Sequence, residues 1–380
     1  MKKVLTFSTN VSAGHRRAAE AVANAILATA PDAEIVQHDA MTLIGDGRRK
    51  FLTETYLGIL KYRPSLWNHL YHNKSLKKGI SKFFRILLTQ TAERFEAAID
   101  QHQPDVIVCT QVIPAKVIAG LKELCRVKAP LLVVATDYGI HPYWADPFID
   151  KYAVPCDDAA KELHNDNIPA DRIHVTGIPV DSVFETPPSR SEARKELGIP
   201  QEGRYILAMG GGNGLGLEAE HIAAIEKADN VDGVLVISGC NKELEKQVRE
   251  MPSVPGKERR VFSMVNEIEK YYAASDMLVS KPGGLTMSEA TAMSMPIVMI
   301  SPLPGQEVRN AKFLKASGVA LEAQTSEELS AVLRDVLHDE ARLISLRQAS
   351  RRVGLPWASR KIANIALEMA KAENTEFVLS

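Results

Sequence analysis

A glycine turn, a hydroxyl and a carboxylate follow one another in Lys281-Pro-Gly283-Gly284-Leu285-Thr286-Met-Ser-Glu289. Gly283 and Gly284 let backbone N–H groups approach a ligand closely, and the start of the helix behind them favours negative charge. Thr286 offers its hydroxyl there. Glu289, expected on the first helical turn, offers a carboxylate that could hold a ribose diol by two hydrogen bonds. Gly305-Gln306-Glu307 falls in the loop after the next apolar run. A second glycine stretch, Gly210-Gly211-Gly212-Asn213-Gly214-Leu-Gly216, suits backbone N–H groups gathered around a diphosphate. It is not a Gly-x-Gly-x-x-Gly fingerprint, and no Gly-Lys-Ser/Thr follows it as in a Walker A loop. Dinucleotide binding and ATP hydrolysis therefore lose ground. Together these residues outline half of a sugar-nucleotide site.

Nearer the N-terminus, Ser12-Ala-Gly14-His15 opens a helix, and a histidine so placed can take a proton from a hydroxyl. The competing reading is a capping or solvent-facing imidazole. Thr136-Asp137-Tyr-Gly-Ile-His141-Pro-Tyr-Trp144 follows an apolar run, and loops in that position carry function. Asp137, His141 and Trp144 are its candidates, against a turn or cap role for Asp137 and simple packing for Trp144.

Strands followed by helices must position these groups. Val4–Thr9, Val106–Cys109, Leu131–Val134, Tyr152–Pro155 and Ile173–Thr176 read as strands of a first sheet. Tyr205–Met209, Val234–Ser238, Val261–Met264, Met277–Ser280 and Pro296–Ile300 read as strands of a second. Ala18, Ala19, Val22, Ala23, Ile26 and Leu27 recur at helical spacing after the first strand. Pro187-Pro-Ser-Arg190 marks a boundary. The fold class expected is α/β, with two Rossmann-like doubly wound domains facing a cleft. The domains would be 1–183, an acceptor-binding half, and 184–380, a nucleotide-sugar half. A C-terminal helix at about 357–372 would pack back on the first.

A chain of 380 residues, 45% hydrophobic and 24% charged with a net charge of −1, suits two globular domains and gives no global case for nucleic acid. Residues 48–94 stand apart, with eleven Lys/Arg against Glu54 and Glu93. Phe51, Tyr56, Tyr62, Trp67, Tyr71, Phe83 and Phe84 are interleaved with them. That mixture suits an anionic membrane surface, the alternative being a solvated helix face with its aromatics in the core. Cys109, Cys125, Cys156 and Cys240 form no Cys-x-x-Cys pair, which points to a reducing compartment and no structural zinc. The N-terminal apolar run is too short for a signal peptide, and no stretch reaches the length of a spanning helix. The expected location is cytoplasmic, peripheral on the inner face of the cell membrane.

In this order, Ser12–His15, Thr136-Asp137 with His141-Pro142 and Trp144, Met209–Gly214, Lys281–Gly284 with Ser288-Glu289-Ala290, and Gly305–Glu307 with Asn310 resemble the monogalactosyldiacylglycerol synthase and processive diacylglycerol glucosyltransferase family. They are similar, more distantly, to the UDP-GlcNAc transferase that makes lipid II. The resemblance implies a GT-B fold, a UDP-sugar donor and inverting transfer to a lipid acceptor such as diacylglycerol or a glycolipid. By position it implies that His15 is the general base. Gly211, Gly212 and Asn213 would belong to the diphosphate loop, and Glu289 would bind ribose. Gln306 and Glu307 would lie at the donor sugar or ribose. Phe262 and Met264 lie on the strand whose end meets uracil, and Gly14, Asp137, His141 and Trp144 would lie on the acceptor side.

The sequence holds no Asp-x-Asp, which fits a site needing no cofactor and no metal, with protein dipoles meeting the charge of UDP. A UDP-sugar 2-epimerase of the same architecture would leave the 48–94 segment without a role. A non-catalytic UDP-sugar sensor would not need His15. Nucleic-acid binding would leave both glycine turns unexplained.

Overall fold

The computed structural model describes residues 1–9, 13–44, 91–302 and 305–376. β1 (Lys3–Ser8), β2 (Glu34–Asp39), β3 (Val106–Cys109), β4 (Leu131–Val134), β5 (Lys151–Val154) and β6 (Ile173–Val175) form one sheet in the order β2-β1-β3-β4-β5-β6. Its pairings are parallel.

Uninterrupted apolar runs suit strands covered on both faces, and neighbours along these strands do enter two different cores. Val4, Val106, Val108, Leu132 and Val134 meet Val22 and Ile26 of helix Ala13–Thr29, and Ile362 and Ala366 of helix Ala358–Glu376. Leu5, Phe7, Ile107, Leu131 and Val133 meet Ile118 and Leu121 of helix Val112–Glu123, and Phe95 and Ile99 of the helix over 91–102. Each such large apolar side chain contributes about 1.5–3 kcal/mol by leaving water.

The second sheet comprises β7 (Tyr205–Met209), β8 (Gly233–Ile237), β9 (Glu258–Phe262), β10 (Met277–Ser280), β11 (Ile297–Ile300) and β12 (Ala320–Ala323). Their order is β12-β11-β10-β7-β8-β9, again all parallel. Ile206, Val234, Val236, Val279 and Val298 pack against Ile222 and Ile225 of helix Ala219–Lys227 and against Leu329 and Leu333 of helix Ser326–His338.

Both sheets are doubly wound. The chain steps from β1 out to β2 and returns to β3 on the other side of β1; it runs from β7 out to β9 and returns to β10 beside β7. The carboxyl ends of β1/β3 and of β7/β10 are therefore the switch points at which such sheets bind ligands.

The chain divides into two compact units, one of Met1–Ser182 with Trp357–Ser380 and one of Val183–Pro356. The second opens with helix Arg190–Leu197, whose N-cap Ser189 forms a capping box with Glu192 and which ends at Gly198, φ +65°. Arg194 of that helix is fully buried. It donates to the carbonyls of Pro200, Gln201, Glu202, Gly203 and Ala274 and lies 3.3 Å from Asp276 Oδ2, so its charge is compensated on every side.

Two strands lie outside the sequence reading, β2 and β12. Both are edges, and β2 has no fully buried residue, so neither needs the apolar run that betrays the inner strands. β9 corrects another boundary. It begins at Glu258 and stops at Phe262, because its outer position tolerates Glu258, Arg259 and Arg260; Met264, expected on the strand, lies beyond it and is exposed. Of the basic–aromatic segment 48–94, all but 91–94 lies outside the described residues, as does Ser12. Among the described residues no helix is long and apolar enough to cross a membrane.

Candidate functional site

In the second unit the two glycine turns meet at the β7/β10 switch point. Ser280 Oγ at the end of β10 donates to the carbonyl of Met209 at the end of β7, at 2.7 Å, and stitches the two turns together. Gly211, Gly214 and Gly216 take positive φ angles of +68°, +61° and +78°. Gly214 has no room for a side chain, since a Cβ there would come within 2.1 Å of the Ser238 carbonyl. The loop is tied down from β8 as well: Cys240 N donates to Gly212 O at 2.9 Å and Asn241 Nδ2 to Gly214 O at 3.0 Å. Gly211 and Gly212 are half-buried, and Asn213 is exposed at the tip.

One cation lies across this turn. A Cβ on Gly211 would sit 3.7 Å from Lys281 Cε, and one on Gly216 3.4 Å from Lys281 Cδ. Lys281 Nζ is paired with Glu307 Oε1 at 2.7 Å, and both side chains are mostly buried. Lys281 was visible in the sequence only as the residue before the Pro-Gly-Gly turn. Nothing local says that its stem will lie along a glycine loop some seventy residues earlier.

Helix Gly284–Ala292 starts at this point with glycine as its N-cap, so no side chain occupies its first N–H groups. Asn310 Nδ2 fastens the turn from the next helix by donating to Pro282 O at 3.0 Å. Gln306 and Glu307 begin that helix, Gln306–Ala316, after Gly305 at φ +96°. Leu285 and Thr286 are half-buried in the first turn.

Glu289 differs from expectation. It is the sixth residue of its helix and so lies in the second turn, and it is 5% exposed. Tyr272 OH lies 3.1 Å from Glu289 Oε2 and 3.2 Å from the Thr286 carbonyl. Tyr272 is thus a positioning residue for this carboxylate that sequence spacing did not reveal. Phe262 packs edge-on against Tyr271, with centroids 4.9 Å apart, and its carbonyl accepts from Ser238 N at 2.9 Å.

In the first unit, Gly14 and His15 lie in the first turn of helix Ala13–Thr29 at the β1/β3 switch point. Thr136 Oγ1, just past β4, is 3.0 Å from His15 Nδ1, and Thr110 Oγ1, just past β3, donates to the His15 carbonyl at 2.9 Å. Burial pushes the imidazole below its ordinary pKa; the Asp137 carboxylate and a backbone hydrogen bond with Thr110 pull it part of the way back. The result is a neutral, oriented imidazole at neutral pH with a carboxylate nearby, as a general base requires.

His141 and Trp144, expected on the acceptor side, both have local partners. His141 is 6% exposed, and its Nδ1 accepts from Tyr143 N at 3.2 Å, capping the short 3₁₀ turn Pro142–Trp144. Its ring stacks on Tyr143 at 4.4 Å. Trp144 packs against the first core, and its carbonyl accepts from Tyr152 OH at 3.1 Å. Among the described residues no group of three or more His, Cys, Asp or Glu side chains could hold a metal ion.

Residues 15–180 match the family described as monogalactosyldiacylglycerol (MGDG) synthase, and residues 189–353 match glycosyl transferases group 1. A processive diacylglycerol beta-glucosyltransferase from Staphylococcus epidermidis is 25% identical over 379 residues, covering 97% of this chain and 93% of the relative. Among solved structures, MurG of Acinetobacter baumannii superposes with a TM-score of 0.61 at 15% identity, covering 97% of this chain and all of that one. The UDP-GlcNAc 2-epimerase of Neisseria meningitidis, bound to UDP-GlcNAc, superposes with a TM-score of 0.63 at 14% identity, covering 97% and 100%. These likenesses identify the fold as GT-B.

Proposed function

We propose, because residues 15–180 match the monogalactosyldiacylglycerol synthase family and residues 189–353 match the group 1 glycosyl transferases, that this chain is an inverting glycosyltransferase moving a hexose from a UDP-sugar to diacylglycerol or a related membrane lipid. One observation carries the donor half: two glycine turns meet at the β7/β10 switch point beneath a single lysine, Lys281. A nucleoside diphosphate suits that arrangement, its charge shared among backbone N–H groups, the start of helix Gly284–Ala292 and Lys281. Glu289 holds the ribose hydroxyls, and the backbone near Phe262 and Met264 meets the base. Gln306 and Glu307 face the sugar.

His15, on the other domain, accepts the proton of the acceptor hydroxyl as its oxygen attacks C1 of the sugar. The C1–O bond to UDP breaks with inversion, and the electron pair leaves on the diphosphate. The same groups that bind the diphosphate stabilise this charge without a metal. Gly14 gives the acceptor room beside His15, and Asp137 sets the basicity of the imidazole. The basic–aromatic segment 48–94 docks the protein on the anionic inner face of the cell membrane, where the acceptor lies.

The test is transfer of radiolabel into organic-extractable lipid. UDP-glucose, UDP-galactose and UDP-GlcNAc would be offered separately, with diacylglycerol in anionic vesicles and EDTA present. Labelled lipid with one donor is the expected result and names the sugar. Conversion of the free nucleotide sugar without labelled lipid would overturn this reading in favour of an epimerase, and binding without turnover would leave a sensor.

A further inference from the structure

Below the donor-site turns of the second domain lies a cavity of about 450 Å³ whose lining includes Tyr272 and neither glycine turn. Ser275 and Asp276 precede β10 and Pro296 precedes β11, so the cavity opens at the amino ends of these strands, whereas the glycine turns lie at the carboxyl ends. Arg190, Arg347 and Arg351 line it together with Gln348. Asp276 is the one carboxylate among its lining residues. That carboxylate is already committed: it pairs with Arg190 and Arg194 and accepts from Tyr205 N at 2.9 Å, while Arg347 Nη2 stands 3.7 Å away. Arg351 has no ion pair among the described residues.

The site also holds an unmet hydrogen-bonding group. Ser275 is 8% exposed, and its Oγ is buried with no hydrogen-bond partner among the described residues. Buried hydroxyls are normally satisfied, and Ser275 is among the residues that line this cavity. Two under-used guanidiniums, an amide and a hydroxyl form a donor-rich set with a surplus of positive charge, and guanidinium forks match phosphate oxygens.

We propose that this cavity is a phosphate-binding site that takes inorganic phosphate or a phosphate monoester as the dianion, held by Arg347 and Arg351 with Ser275 Oγ and Gln348 donating to the remaining oxygens. The phosphate group is the recognised chemistry, whether free in solution or carried as a lipid headgroup.

The experiment uses the full chain saturated with UDP, so that the donor site cannot take up the probe. Inorganic phosphate and glycerol 1-phosphate are titrated by calorimetry, and binding to vesicles with and without a phosphomonoester-headgroup lipid is measured by co-sedimentation. The variants are Arg351→Gln, which breaks no ion pair among the described residues, and Ser275→Ala, which removes a hydroxyl with no partner among them. Saturable one-to-one binding of phosphate, weakened about tenfold or more by Arg351→Gln and also by Ser275→Ala, is expected for a soluble ligand. Vesicle binding that depends on the phosphomonoester lipid and on both side chains, with no uptake of free phosphate, would support the site with the lipid as its source. No binding of either probe, or binding that both variants leave unchanged, would overturn it. Both variants keep wild-type UDP affinity, since they lie at the other end of the sheet.

Discussion

Lys281 Nζ lies 2.7 Å from Glu307 Oε1, and the lysine stem runs beside Gly211 and Gly216. The pair holds a cation ready over the glycine turn while its partner keeps it from being an isolated, largely buried charge. An incoming diphosphate supplies a second counter-charge to Lys281. Charge-assisted hydrogen bonds contribute about 1.5–3 kcal/mol, so Lys281→Ala should weaken UDP binding on the order of 10–100-fold. Calorimetric titration with UDP measures this directly. Affinity within twofold of wild type would remove Lys281 from the diphosphate site.

Glu289 is almost fully buried and receives the Tyr272 hydroxyl. Glu289→Ala should raise the Kd for UDP, and unchanged affinity would contradict its role at the ribose. Tyr272→Phe removes one donor to a buried carboxylate, with a cost of about 1–3 kcal/mol in stability read from denaturant unfolding. Its effect on UDP affinity should be in the same direction as that of Glu289→Ala and smaller. If Tyr272→Phe lowered stability and left UDP affinity unmoved, its hydroxyl would be structural only.

His15 gives a pH signature. Its imidazole is held below the usual histidine value by burial, and the Asp137 carboxylate opposes that shift. A base acts in its neutral form, so kcat/KM should be flat at neutral pH and fall only as the pH drops through the lowered pKa, below about 6.5. Asp137→Asn removes a carboxylate that favours the imidazolium, so the acid limb should move further toward acid. A limb that stays in place, or moves toward alkali, would exclude this coupling. His15→Ala should cost about 10²–10⁴-fold in transfer while UDP binding is retained.

The inner strands could be read from the sequence because both faces of each sheet are covered: Val106, Ile107 and Val108 are apolar without a break since alternate residues enter different cores. The edge strand Glu34–Asp39 could not, and Glu258–Phe262 could be read only from Val261 onward, because both bury too little to need such a run. The glycine turns were legible from composition, since a backbone that must take positive φ or pass close to another chain segment demands glycine. What remained hidden was long-range. Tyr272 reaches Glu289 from a different helix, Lys281 lies along a turn of another strand, and Thr136 meets His15 across 121 positions. The loop residues His141 and Trp144 carry a sequence signal for the acceptor side, but the turn that the imidazole caps and the core on which Trp144 packs were not legible from it. A polar or aromatic side chain after a strand serves either purpose, and only its partners distinguish them.

The basic–aromatic segment supplies the last prediction. Lys74, Lys77, Lys78 and Lys82 fall within nine residues, close to Tyr71, Phe83 and Phe84. Each lysine near an anionic surface contributes about 1 kcal/mol, and the attraction is screened over a Debye length of about 10 Å at 0.1 M salt. Replacing all four by glutamine should therefore reduce co-sedimentation with anionic vesicles strongly, and added salt should reduce that of the wild type. Binding to neutral vesicles should be little affected. Transfer to a short-chain, water-dispersed diacylglycerol should persist in the variant, because His15 and the UDP-binding turns are untouched, while transfer to diacylglycerol in vesicles should fall. Unchanged sedimentation in the variant would assign these lysines to a solvated helix face.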